Sequence, residues 1–217
     1  MHIDFKGPAG RLEGLLEGPR HPRAAVVFGH PHPLLGGGGT MNTKAVFQAA
    51  KGLNRIGCAV LRFNFRGVGR SEGTFDEGVG ERGDYTAALD FMAAKYESAP
   101  LWAAGFSFGS WIALETGSVD PRVSLLIGIA PPWTFRRNAE ETHREGYTWP
   151  NTLASEKPKF FVQGEGDEVC AIQDMWAYYA KLKEPKELVV IDEANHLFEG
   201  HTPAVGEALE ELLGDYE

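Results

Sequence analysis

Residues 105–109 read Gly105-Phe106-Ser107-Phe108-Gly109, and they sit between two apolar stretches. Ahead of them, Leu101, Trp102, Ala103 and Ala104 follow Pro100 as a buried parallel strand would. Behind them, residues 108–116 are apolar nearly all round, which suits a helix packed against a sheet, and Gly117 is expected to stop it. A serine on a sharp strand-to-helix turn, flanked two residues away by glycines that carry no Cβ, is the pattern of a nucleophile elbow. Such a turn lifts a hydroxyl above the end of a sheet, where a substrate can reach it.

The rest of the chain supplies the sheet. Two short alternating segments around Gly7-Pro8-Ala9-Gly10 predict an antiparallel hairpin at a sheet edge. Ala24 to Phe28 reads as a compact strand, and Val46, Ala49, Ala50, Leu53 and Ile56 recur at helical spacing before Gly57. Cys58 to Phe65 gives the next strand, and Tyr85, Ala88, Leu89 and Met92 mark a helix. Past the elbow come strands at Val123 to Ile129, Phe160 to Val162 and Leu188 to Ile191. Helices are expected at Met175 to Leu182 and around Val205, Leu209, Leu212 and Leu213. Alternating strands and helices with near-continuous apolar strands imply an α/β fold: a mostly parallel central sheet covered by helices on both faces. Ligands in such folds sit beyond the carboxyl ends of the strands.

The whole chain, residues 1–217, is expected to form one domain, since no linker divides it. One stretch lacks any clear period. Residues 131–158 carry Trp133, Phe135, Tyr147 and Trp149 among many charges, a length and composition that fit a small lid or pocket wall. Trp133 and Trp149 are the candidate substrate-binding residues within it. The same aromatics would equally serve as anchors to the core.

Bulk properties narrow the classes. A net charge of −9 argues against nucleic-acid or anionic-membrane partners, which need clustered Lys and Arg. No window approaches the apolar length of a spanning helix, and no leader pattern is visible at the N-terminus. Two cysteines, Cys58 and Cys170, are too few for a disulfide framework, so a reducing cytoplasm is the expected compartment.

A serine hydroxyl is a weak nucleophile until a base takes its proton, and an acid must then orient that base. In this fold the three occur in the order serine, acid, histidine. Of the histidines after Ser107, His143 lies in the irregular stretch and His201 at the entry to the last helix. His196 follows the strand Leu188 to Ile191 across a short turn, and is the expected base. Asp167, in Gln163-Gly164-Glu165-Gly166-Asp167, follows the strand Phe160 to Val162 and is the expected acid, with its two glycines allowing a tight turn. Glu165, Glu168 and Asp192 are its rivals. The developing oxyanion needs two backbone N–H donors. Phe108, after the nucleophile, supplies one. The loop His30-Pro31-His32-Pro33-Leu34 supplies the other, and because its prolines have no N–H the choice is His32 or Leu34, with His32 preferred.

Other chemistries fit less well. His30 and His32 find no nearby third ligand for a metal. The glycines before Lys44 lack the one that must directly precede a phosphate-loop lysine, and Gly67-Val68-Gly69-Arg70-Ser71-Glu72-Gly73 has its third glycine one position late for a dinucleotide site. No cofactor and no metal are therefore expected. Arg62-Phe63-Asn64-Phe65-Arg66 is expected to brace the His30–Pro33 loop through hydrogen bonds.

The combination resembles the α/β-hydrolase superfamily, and more narrowly the small, lid-poor bacterial hydrolases related to dienelactone hydrolases. The matching pieces are His30-Pro31-His32-Pro33 with its glycine tail, Asn64 to Gly73, Gly105 to Gly109, Gly164 to Asp167, and Asn195-His196. The resemblance implies hydrolysis of carboxylic esters through an acyl-enzyme, with Ser107, Asp167 and His196 as the triad; the expected partner is a small-molecule ester, and the expected assembly is a monomer or homodimer. Dienelactone hydrolases proper carry a cysteine where this chain has Ser107, which points from lactones toward simple esters. The same triad could act on thioesters, amides or carbon–carbon bonds, and a binding module on this fold is the non-enzymatic alternative.

Overall fold

The computed structural model describes residues 1–35, 38–134 and 147–216. Its eight-stranded sheet runs in the order β1-β2-β4-β3-β5-β6-β7-β8. β1 (His2–Gly7) and β2 (Gly10–Glu17) form the edge hairpin, and β2 joins β4 (Ala59–Phe63) antiparallel. From β4 onward every pairing is parallel: β3 (Ala25–Gly29), β5 (Leu101–Phe106), β6 (Val123–Ile129), β7 (Lys159–Gly164) and β8 (Lys186–Ile191). Strands β3, β4, β5 and β7 are buried along their whole length, which is why they read as unbroken apolar runs rather than alternating ones.

Alternate side chains of each strand feed two cores. On one face, Val26, Phe28, Trp102, Ala104 and Ile127 meet α1 (Lys44–Arg55) and α6 (Thr202–Leu213). On the other, Val27, Leu61, Ala103 and Leu126 meet α2 (Val79–Lys95), α3 (Phe108–Val119) and α5 (Ile172–Tyr179), with the short α4 (Pro150–Ala154) beside α3. Helices α1 and α6 touch through glycine, since a Cβ on Gly52 would lie 2.3 Å from the Gly206 carbonyl oxygen. Both cysteines are buried thiols. Among the described residues, no helix is long and apolar enough to cross a membrane.

Helix α3 departs from the sequence reading. It runs through Gly117 to Val119 instead of stopping there. A Cβ at Gly117 would stand 2.6 Å from the Ala103 Cβ and 2.8 Å from Leu126 Cδ2, so this glycine lets the helix lie close on the sheet.

Residues 131–134 and 147–158 belong to the described part of the irregular stretch, and residues 135–146, with Phe135 and His143, lie outside it. Trp133 and Trp149, expected at a substrate pocket, are core residues instead. Their rings pack against each other at 4.2 Å, and Trp133 also lies over Tyr178 at 4.8 Å. The indole nitrogens donate inward, from Trp133 to Met175 Sδ and from Trp149 to the Trp133 carbonyl. The physical reason is area: two large rings bury more apolar surface against β7 and α5 than they could at a cavity edge.

Candidate active site

β5 ends at Phe106 and α3 begins at Phe108, so Ser107 alone makes the turn, with φ 53° and ψ −122°. That is a costly backbone conformation for a residue with a Cβ. Its amide donates to the Ile129 carbonyl at 2.8 Å, which ties the turn to β6. The flanking glycines are required by close approach of backbone. A Cβ on Gly105 would meet the Gly109 carbonyl at 2.1 Å, and one on Gly109 would meet the Gly29 carbonyl at 2.3 Å.

Ser107, His196 and Asp167 stand in one hydrogen-bonded line. His196 Nε2 lies 3.0 Å from Ser107 Oγ, and His196 Nδ1 lies 2.9 Å from Asp167 Oδ2. All three are buried, with 7%, 7% and 5% of their surface exposed for Ser107, His196 and Asp167. The Asp167 carboxylate is held from several sides. Its Oδ1 accepts the amides of Val169 and Cys170, and its Oδ2 accepts Gln163 Nε2 at 3.0 Å. Of the rival carboxylates, Glu168 accepts the His196 backbone amide and Glu165 that of Glu193, and among the described residues neither is bonded to the His196 ring.

The acid and base loops are stitched together. Gly166 donates to the Ala194 carbonyl at 3.0 Å, and Glu165 donates to that of Ile191. Gly164 has no room for a side chain, because a Cβ there would lie 2.3 Å from the Ala194 carbonyl oxygen. Gly164 therefore serves this loop-to-loop approach, whereas a Cβ at Gly166 would meet its nearest atom, the Glu193 carbonyl oxygen, at an ordinary 3.4 Å. Neither glycine has a positive φ, so the tight-turn expectation gives way to a packing one.

A cavity of about 700 Å³ opens over Ser107 and His196. Its walls include His32, Leu35, Phe108, Tyr147, Val169 and Leu197. From the irregular stretch the lining takes Pro132 and Tyr147, the latter stacked on Trp111 at 4.2 Å. Phe108 opens α3, so its amide is one of the first-turn donors that find no acceptor inside the helix. Across from it stands His32, ring against ring at 5.4 Å. Of the two amides considered in that loop, Leu34 donates to His32 Nδ1 at 3.1 Å and its side chain points to solvent, 65% exposed.

The polar residues after β4 brace this loop at both ends. Phe65 N–H donates to His30 Nε2, while Arg62 Nη1 donates to the Met41 carbonyl and Asn64 Oδ1 accepts the Met41 amide. Asn64 is held in turn by Glu13, which also pairs with Arg70. Burial pushes the His30 imidazole down to about 4.

Two contributors escaped the sequence reading. Gln163, fully buried on β7, clamps Asp167 and the Cys170 carbonyl with one amide nitrogen, while its Oε1 finds no partner among the described residues. A polar residue inside an otherwise apolar strand was the signal available. Tyr147 was visible only as one aromatic among several.

Among the described residues, the set whose ligand atoms come near enough to share a metal ion is Asp167, Cys170 and His196, all within 4.8 Å. Two of these already form the hydrogen-bonded line. The Cys170 thiol is pushed well above its ordinary value by burial and then by the Asp167 charge, so it stands protonated. That donor chemistry suits a proton relay better than a metal.

Comparison with known proteins agrees with this geometry. The family model described as an alpha/beta hydrolase domain matches residues 22–214. An uncharacterized protein of Rickettsia prowazekii is 35% identical over 218 residues, covering 97% of this chain and 87% of its own. An alpha-beta serine hydrolase homologue from Coxiella burnetii superposes with a TM-score of 0.85 at 36% identity, over 98% of this chain and 97% of that one. A Xanthomonas campestris protein described as an α/β serine hydrolase without a lid gives 0.83 at 29% identity, over 97% and 92%. The chain belongs to the α/β-hydrolase family and is a hydrolase.

Proposed function

We propose that this hydrolase is a serine carboxylesterase that cleaves small or short-acyl esters through an acyl-enzyme. The observation that carries the reading is the unbroken line from Ser107 Oγ to His196 to Asp167, at 3.0 and 2.9 Å, beneath the cavity. Ser107 Oγ attacks the ester carbonyl while His196 Nε2 takes its proton. Asp167 stabilises the imidazolium that forms and keeps Nδ1 protonated in the resting state. The oxyanion settles against the amides of Phe108 and His32, preorganised by the helix start and by the braced loop. His196 then protonates the departing alcohol, and water reverses the sequence to free the acid. A cavity of about 700 Å³ has the size of a small-molecule site, and its mixed aliphatic and aromatic walls suit an acyl group.

The test is a panel of p-nitrophenyl esters from acetate to octanoate, with a thioester of matched acyl group, followed through the first turnovers. The expected result is Ser107-dependent release that is fastest with the short acyl chains. Equal rates for wild type and Ser107→Ala on every substrate would remove the reading. A Ser107-dependent preference for the thioester would keep the triad and change the substrate.

A further inference from the structure

His30 is fully buried beneath the cavity loop, and both its ring nitrogens are engaged by backbone. Nε2 lies 3.1 Å from the amide nitrogen of Phe65. An amide can only donate, so Nε2 carries no proton. Nδ1 lies 2.7 Å from the carbonyl oxygen of Pro31. A carbonyl can only accept, so Nδ1 carries the proton. The partners on the two sides thus dictate one neutral tautomer.

The Pro31 carbonyl belongs to the same peptide unit as the His32 N–H. That unit is trans, since the cis bond of the described chain is Glu184–Pro185. In a planar trans peptide the carbonyl and the N–H point in opposite directions. Drawing the Pro31 oxygen down onto the buried His30 ring therefore turns the His32 N–H away from the core, toward the cavity that Pro31, His32 and Ser107 line together. The next peptide is pinned as well, because the His32 carbonyl accepts Gly39 N–H at 2.9 Å. Prolines on both sides of His32 restrict what torsional freedom remains.

We infer that His30 is a positioning residue for the oxyanion donor: its Nδ1–H holds the Pro31–His32 peptide plane in the orientation that presents the His32 amide to the substrate oxygen. The inference rests on the reading above that this amide meets the oxyanion. It assigns the ring a task in the reaction without contact to substrate. The state required is the neutral one, and burial keeps the ring neutral throughout the working pH range of a histidine base.

Two near-isosteres divide the ring's two bonds. In His30→Asn the side-chain amide nitrogen stands where Nδ1 stood and still reaches the Pro31 carbonyl. In His30→Gln the side-chain oxygen stands where Nε2 stood and still accepts the Phe65 amide, while the bond to Pro31 is lost. Steady-state kinetics on the ester panel should show His30→Gln losing about 10- to 100-fold in kcat with KM within about threefold of wild type. His30→Asn should stay within about fivefold in kcat. A trifluoromethyl ketone, whose adduct with Ser107 places an oxyanion in the same position, should weaken in step with kcat in His30→Gln. Equal kcat for the two variants, or a loss confined to KM, overturns the inference. Nitrogen NMR of histidine-labelled wild-type protein gives a readout that needs no variant to fold: a His30 ring protonated on Nε2 rather than Nδ1 overturns it as well. If Ser107→Ala keeps esterase activity, the underlying reading fails; if Ser107→Ala is inactive while His30→Gln is unimpaired, only the present inference does.

Discussion

The two ends of the parallel strands obey different rules. At the carboxyl ends, the connections hold all five non-glycine residues with positive φ among those described: Glu77 after β4, Ser107 after β5, Ala130 after β6, and Glu193 and Phe198 after β8. At the amino ends, polar groups do ordinary capping. Lys157 Nζ donates to the carbonyls of Gly117 and Asp120 at the end of α3, Lys186 Nζ to that of Leu182 beyond α5, and Arg23 to that of Gly214 beyond α6. Cations there answer the negative ends of helix dipoles. Positive φ at this end falls on glycines, Gly57 and Gly18, for which it carries little strain. Both ends are built from the same strands, yet among the described residues a positive φ outside glycine occurs only at the end that carries Ser107.

That contrast can be broken, and the largest test is at Ser107. Ser107→Ala should lose about 10⁶-fold in kcat with little change in stability, because alanine keeps the strained turn. Ser107→Gly should lose as much activity and gain about 1–2 kcal/mol in urea unfolding, because glycine relieves a φ of 53°. A glycine variant no more stable than the alanine one would mean that the turn stores nothing.

A smaller effect concerns pH. The His30 imidazole sits at about 4 in the folded protein against 6.5 in an unfolded chain. Between those values the unfolded state binds the extra proton, so the contribution is complete above about pH 6.5 and is lost as pH falls toward 4. The loss integrates to about 3 kcal/mol. Urea midpoints measured between pH 7 and pH 4 should fall more steeply for wild type than for His30→Asn. Parallel curves would show that this ring is not the buried neutral histidine described above.

The smallest effect sharpens the other side. Lys157→Met should cost about 1–2 kcal/mol by taking the donor from the Gly117 carbonyl and a cation from the end of α3, while the Asp120 carbonyl keeps the Val123 amide, with kcat unchanged. A change in ester turnover would mean that the two ends are coupled.

What could be read from sequence divides along the same line. The elbow is local: glycines at two positions around a serine, between a strand and a helix, say most of what Gly105–Gly109 does. The candidate acid and base followed from chain order and from their places after β7 and β8. The helix end at Gly117 was misread because intrinsic propensity treats glycine as a stop, whereas contact with Ala103 and Leu126 demands it. Trp133 and Trp149 had no period to reveal which way they faced. Gln163 stood out as a polar residue in an apolar strand, but what it and His30 bind was illegible for a different reason. Their partners are a carboxylate four residues on and the carbonyl of the very next peptide, and hydrogen bonds of that kind leave no trace in composition or spacing.

The two buried thiols have a practical consequence. Burial raises Cys58 to about 11 and Cys170 well above its ordinary value, so neither is a ready thiolate at neutral pH. A maleimide fluorophore on a Leu34→Cys variant would therefore label one chosen position beside the cavity loop. The wild-type chain comes already prepared for a single-dye optical reporter, with no native cysteine to remove first.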